Sequence, residues 1–379
     1  MKELKAILAA HRMADNKRQA AIATVVKVKG SSYRSPGARM YITDDGKWVG
    51  SISGGCLEGD ALRKARQVMM EKKAMTVTYD TREESNQNLG ISLGCNGVID
   101  VLIEPIVTEN DPIEVFEKCI AANQPVAIAT IIRGNGTGEK LLMTNGAFTD
   151  GFSNGALAND VTPLLKRVFD SKKSETINLS CNGEAFEVFL ELIQPSVSLI
   201  LFGGGFDARP VSQLAKNLGW EVQVTDECVA HIAPIFFPQA DRLSLCQREF
   251  IDRDFNITPY TACVLMSHNY EYDRDVLRKL INTTAPYIGI LGPRKRFEKM
   301  MAEFKNAGIE LSSEQLQRIH SPIGLDIGAE AADEIAISII AEIQSKFTNR
   351  TGGFLKHNPG PIHQREPNSD QVLKQVYFE

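Results

Sequence analysis

The chain has no long apolar run. Across 379 residues none approaches the roughly 20 consecutive apolar residues of a membrane-spanning helix. The opening MKELKAILAAHRM is interrupted by charge too often for a secretory signal and reads as an amphipathic helix. Basic excess is missing too: the formal net charge is −5, which argues against nucleic acid as the main partner, since phosphate selects a basic face. Seven cysteines, odd in number and widely spaced, do not make a secreted disulfide framework. None forms the C-x-x-C pair of a structural zinc site, and the expected compartment is a reducing cytoplasm. Internal repeats are absent. The length suggests two or three domains, each able to bury its own core.

What is present is most concentrated in residues 197–226, VSLILFGGGFDARPVSQLAKNLGWEVQVTD. Val197–Phe202 reads as a buried parallel strand. It runs into Gly203-Gly204-Gly205-Phe206-Asp207-Ala208, a G-x-G-x-x-A turn, and then an amphipathic helix to Leu218. A second strand, Trp220–Thr225, ends on Asp226, about 20 residues beyond Gly205 as a dinucleotide fold requires. Gly203 permits the tight turn, Gly205 admits a pyrophosphate, and small Ala208 lets the helix pack on the strand. Asp226 accepts a ribose hydroxyl, and the helix N-terminus faces the phosphates. Glu227 follows Asp226, so a 2′-phosphate is repelled and the cofactor is NAD-like. The alternative is a βαβ unit with an empty nucleotide site.

Strands continue at Arg242–Leu245, Thr261–Ser267 and Tyr287–Leu291, alternating with helices over Asp273–Ile281 and Lys295–Asn306. That alternation implies a doubly wound parallel sheet. Ligands sit outside the carboxyl ends of such strands, which collects Gly203–Gly205, Asp226, His268 and Gly292–Arg294 around one crevice. His268 is the one histidine at such a strand end; it is either an acid/base group or an imidazole hydrogen-bonded in a loop.

Gln194-Pro195-Ser196 places a boundary near residue 195. The expected organisation is an α+β domain over 1–195, a Rossmann-like domain over 196–345, and an extended or disordered tail over 346–379, where the chain is too poor in apolar residues for a core. Upstream strands are read at Ala20–Lys29, Ala38–Thr43, Trp48–Ser51, Met75–Tyr79, Val98–Ile106 and Phe186–Ile193. Pro125–Arg133 and Leu141–Thr144 form a hairpin, and helices cover Leu57–Glu71 and Val161–Phe169. Pairing is mixed or antiparallel, and periodicity does not give the topology.

Three loops of this first domain stand out. Gly30–Gly37 (GSSYRSPG) offers hydroxyls, an arginine and backbone N–H groups. Gly50–Glu58 (GSISGGCLE) leaves a strand and opens a helix, so its N–H groups are expected to be available to an anion. It lacks the Lys-Ser/Thr ending of a P-loop, so ATP is not implied. Cys56 stands near that helix N-terminus, where the dipole favours a thiolate. Leu89–Gly97 (LGISLGCNG) carries Gly94 and a second thiol, Cys95. One reading is two small cysteines buried in tight turns. The other is a shared cleft in which Cys56 and Cys95, with Arg34 and Arg39, hold an anionic ligand containing sulfur or metal. Cys119, Cys181, Cys228, Cys246 and Cys263 read as structural.

The segments GSSYRSPGARM (30–40), GSISGGCLEGD (50–60) and LGCNGVIDVLIEP (93–105) strongly resemble the XdhC/CoxI family. The second half resembles that family's C-terminal Rossmann domain through LFGGGFDARP, VLMSHNYEYD, ILGPRKR and SPIGLDIGAEAADEIAISIIAEI. The resemblance spans most of 20–345. It implies a maturation factor that binds molybdenum cofactor (molybdopterin), protects it, helps its terminal sulfuration with a sulfurtransferase, and delivers it to an apo molybdenum hydroxylase such as xanthine dehydrogenase. Gly54, Gly55, Cys56, Gly94 and Cys95 match the signature loops by position; that they touch cofactor sulfur or molybdenum is our inference. The chain departs at Asn96, where glycine is usual, and at Asp226-Glu227-Cys228, where a basic residue usually follows the acid. A homodimer is expected from the resemblance and from the prevalence of two-fold assemblies. Two alternatives stay open: an NAD-dependent oxidoreductase using His268, and a nucleotide-sensing protein without chemistry of its own.

Overall fold

Pro195 and Ser196 separate two sets of internal contacts, so the chain forms one unit ending at Pro195 and another beginning at Ser196. The computed structural model describes residues 1–14, 18–81, 97–107, 111–149 and 151–357.

In the first unit, α1 (Lys2–Met13) precedes β1 (Ala20–Gly30), β2 (Arg39–Thr43), β3 (Trp48–Gly50), α2 (Glu58–Glu71), β4 (Met75–Asp80) and β5 (Gly97–Pro105). These strands form an antiparallel sheet in the order β3-β2-β1-β5-β4. Then come α3 (Pro112–Ala121), β6 (Val126–Arg133), β7 (Lys140–Thr144), β8 (Ala147–Thr149), α4 (Gly155–Ser171), β9 (Glu175–Cys181) and β10 (Glu184–Ile193). Their sheet, also antiparallel, runs β8-β7-β6-β10-β9. Strand alternation decides the layering. Ala21, Ala23 and Val25 of β1 face Ala61, Ala65 and Val68 of α2. Val26 and Leu102 point the other way, onto Ile132 and Phe189 of the second sheet. Helix α4 covers the far face of that sheet through Leu157, Val161 and Leu165.

The second unit is wound as the apolar runs suggest. β11 (Ser198–Phe202), α5 (Ala208–Asn217), β12 (Glu221–Asp226), β13 (Arg242–Leu245), α6 (Ile251–Asp254) and β14 (Thr261–Leu265) come first. α7 (Tyr270–Leu280), β15 (Tyr287–Ile290), α8 (Arg294–Asn306), α9 (Ser313–Gln317), β16 (Ile319–His320) and α10 (Ala332–Phe347) complete it. All six strands are parallel, in the order β13-β12-β11-β14-β15-β16. This is the Rossmann order, and its direction reverses between β11 and β14, where a ligand crevice forms. Helices α5 and α10 cover one face, and α7 and α8 the other. Helix α10 continues to Phe347, past the expected start of the tail, because Ile339, Ile340 and Ile343 are buried against the sheet. Residues 348–357 are exposed, and the rest of the expected tail lies outside the described residues. Among the described residues no helix is long and apolar enough to cross a membrane.

Candidate functional site

The glycine–cysteine loop between β3 and α2 is folded around the side chain of Glu58. Five backbone N–H groups donate to that carboxylate: Ile52 (3.2 Å), Ser53 (3.0 Å) and Gly54 (3.2 Å) to Oε1, Gly55 (2.9 Å) and Leu57 (3.2 Å) to Oε2. The hydroxyls of Ser51 (2.7 Å) and Ser53 add two more. Burial alone would raise the carboxyl, but these donors outweigh it and hold Glu58 down at about 2. The expected anion site is therefore filled from within. Gly54 and Gly55 stand exposed at the tip with φ of +92° and +125°, and a Cβ on Gly55 would meet nothing within 4 Å. Cys56, a free thiol, is half-buried behind them.

The loop that follows β1 is fastened to this one. Arg34 donates from Nε to the Ser51 carbonyl (3.1 Å) and from Nη2 to Glu3 of α1 (2.5 Å). Tyr33 lies against Gly54. Arg39, the other candidate anion-binding arginine, is drawn elsewhere. It is 6% exposed and pairs through both terminal nitrogens with Glu191 of β10, with its guanidinium 4.8 Å from the Phe116 ring centroid. Its guanidinium ties the two sheets together and also donates to the Gly37 carbonyl (2.8 Å), while its own carbonyl accepts from Ser51 N (3.1 Å), so it braces the loops with its charge already spent on Glu191. Gly94 and Cys95, and with them the shared-cleft expectation for Cys56 and Cys95, lie outside the described residues. The residue that closes their loop, Gly97, abuts Ser31: a Cβ there would stand 2.4 Å from the Ser31 carbonyl oxygen. All three loops thus root at one end of the first sheet. Beside Gly30 and Gly97 opens a cleft of about 530 Å³ containing Lys27 and Arg133. Their charges are met by Glu187 and Asp100.

In the second unit the Gly-rich turn sits at the topological switch. Gly203 has φ +118°, and a Cβ would fall 2.5 Å from Ser267 Cα, so only glycine fits. Gly205 is open, with only the His268 imidazole near, at 3.6 Å. Ala208 is fully buried where α5 meets the sheet. Asp226 ends β12 as expected, but its carboxylate already accepts from Gly204 N (2.9 Å), Cys228 N (2.8 Å) and His231 Nδ1 (3.0 Å). His268 occupies a left-handed backbone conformation, φ +60°, uncommon outside glycine. Its Nε2 lies 3.2 Å from Asp207, the residue at the N-terminal cap of α5. Sequence reading did not anticipate Arg248, which clamps Glu227 with two hydrogen bonds (2.8 and 2.7 Å) and reaches Asp275 (3.2 Å). That pairing holds Glu227 below the usual carboxylate range and removes much of the repulsion expected of it toward a 2′-phosphate.

Comparison with known proteins bears on both units. Residues 13–80 match the model of the XdhC and CoxI family, and 199–343 match the XdhC Rossmann domain. The chain is 31% identical to a probable xanthine dehydrogenase subunit from Bacillus subtilis (strain 168), over 87% of this chain and 93% of the relative. It is 22% identical to the molybdenum cofactor insertion chaperone PaoD of Escherichia coli (strain K12), over 86% and 83%. A crystal structure described as a xanthine dehydrogenase from Bacillus halodurans superposes with a TM-score of 0.74 at 28% identity, covering 95% of this chain and 98% of that one.

Proposed function

The chain belongs to the XdhC and CoxI family, and from that membership we propose that it is a maturation chaperone that binds molybdenum cofactor and inserts it into a molybdenum hydroxylase of the xanthine dehydrogenase type. Similarity to the insertion chaperone PaoD along most of both chains supports this reading. The observation that carries it is the exposed Gly54-Gly55 tip with the half-buried Cys56 thiol directly behind it, on a loop pinned by a buried carboxylate. A polarisable thiol suits sulfur or molybdenum, and a pinned loop spends little entropy on ordering when cargo arrives. The fuller reading includes terminal sulfuration by a partner sulfurtransferase, a homodimer and a cytoplasmic setting, all resting on the family resemblance.

For the Rossmann crevice the proposed ligand is an adenine nucleotide of the NAD type, supported by the open side of Gly205. The test of the principal reading is retention of molybdopterin through gel filtration. Cys56→Ala is expected to lose it while its thermal melt stays near wild type. Equal retention by both proteins would remove the loop from the function.

A further inference from the structure

We infer that Glu58 is the positioning residue of the glycine–cysteine loop, and that by filling the loop's nest of N–H groups it turns the loop into a grip for the hydrogen-bond-donating end of the cargo and not for its phosphate. The inference rests on the proposal that this loop meets the cofactor, and it names which part of the cofactor is met. In a planar trans peptide the carbonyl points opposite the N–H, and the only cis bond among the described residues is Ser321-Pro322. The N–H groups of 52, 53, 54, 55 and 57 converge on one carboxylate. The carbonyls of 51, 52, 53, 54 and 56 must therefore turn away from it. One of them already does so visibly: the Ser51 carbonyl accepts from Arg34 Nε. Ile52 and Ser53 are buried and the Ser51 carbonyl is taken, so at the tip it is the carbonyls of Gly54 and Cys56 that turn away from Glu58 beside the half-buried thiol.

Electrostatics point the same way. A full negative charge buried at the start of α2 more than cancels the roughly half positive charge of a helix N-terminus. An incoming phosphate finds the N–H groups of 52–55 and 57 already spent on Glu58, with a carboxylate charge behind them. A pterin edge, with its amino group and ring N–H, meets the acceptors it needs, and the soft thiol stands beside them.

The experiment uses the intact protein and reads alkylation of Cys56 by iodoacetamide from the mass of its own peptide, with phosphate-free pterin and inorganic phosphate as separate probes. In the wild type, pterin is expected to slow alkylation several-fold and phosphate to leave it unchanged. In Glu58→Gln, which keeps the shape but loses the charge and half the acceptors, pterin protection is expected to fall and phosphate protection to appear. The wild-type arm stands even if that variant folds poorly, and Glu58→Asp provides the partial rescue expected of a shorter carboxylate. Protection by phosphate in the wild type, protection by neither probe, or undiminished pterin protection in Glu58→Gln overturns the inference. A wild type that behaves so and yet still activates a hydroxylase separates this failure from failure of the chaperone reading.

Discussion

The Gly204 amide donates to Asp226 Oδ2 across 2.9 Å, so the acid that ends the second Rossmann strand holds the Gly-rich turn in shape. The same carboxylate gathers Cys228 N and His231, and a ribose would share it with these groups. Asp226→Ala is thus expected to damage the fold as well as the site. Leaving buried donors unpaired costs about 1–3 kcal/mol. Denaturant unfolding should show that loss without any nucleotide present, and calorimetry should show weaker nucleotide binding on top of it.

Two glycines of that turn should separate fold from ligand. Gly203→Ala drives a Cβ into Ser267 at a positive φ, and overpacking of this kind costs about 1–3 kcal/mol. Gly205→Val meets only the His268 ring at the edge of the crevice, so its stability should stay within about 0.5 kcal/mol of wild type, while nucleotide binding is lost. Paired melts and calorimetry on both variants check this. A strongly destabilised Gly205→Val would show that the crevice is closed rather than open.

Much of the second unit was legible because its signals are local: four- to six-residue apolar runs, a glycine turn and an acid at a strand end follow one another in sequence. The first unit shows only its elements. Strand β9, ETINLSC, has few buried side chains and so no strong apolar pattern, and antiparallel partners such as β1 and β5 are far apart in the chain. At the site, composition marked the Cys56 loop but not the direction of its N–H groups, which made Glu58 invisible as the occupant. The pairing of Arg39 is hidden for a similar reason: its partner Glu191 lies 152 residues away. Arg248, 21 residues from Glu227, becomes its neighbour only once β12 and β13 pair in parallel.

The buried pair of Arg39 and Glu191 sets a test of the first unit's core. Phe116 covers one side of the guanidinium, and Lys140 with Glu104 forms a second buried pair in the same layer. Glu191→Ala would leave a buried cation uncompensated, a change that costs about 3–5 kcal/mol. Urea unfolding of the variant should show a loss in that range. A loss below about 1 kcal/mol would mean that water reaches Arg39.

Acid should loosen the glycine–cysteine loop late. Glu58 titrates at about 2 in the folded chain against an ordinary 4.5, a depressed value. Its contribution to stability is therefore complete above about 4.5 and drains away as the pH falls toward 2. Hydrogen exchange of the amides of residues 52–57, followed from neutral pH downward, should show protection persisting below pH 4 and failing near 2. Early loss, with a midpoint near 4.5, would mean that the N–H groups do not hold the carboxylate in solution.

Function turns on what the chain does alone and what it does beside a client. A dehydrogenase needs an acid or base fixed within hydrogen-bond reach of a substrate carbonyl, and the imidazole beside Gly205, His268, leans on Asp207, while His231 is held by Asp226. A delivery factor needs instead a site that holds a reactive cofactor reversibly, and the pinned Cys56 loop has the rigidity and the soft donor for that. The purified chain should accordingly show no turnover with NAD and simple alcohols, aldehydes or hydroxy acids, and His268→Ala should leave its effect on a client intact. Co-expression with a molybdenum hydroxylase should raise that enzyme's specific activity, and Cys56→Ala should cancel most of the gain. Steady NADH production by the isolated chain, abolished in His268→Ala, would reverse the assignment and make the Rossmann crevice, not the glycine–cysteine loop, the seat of the chemistry.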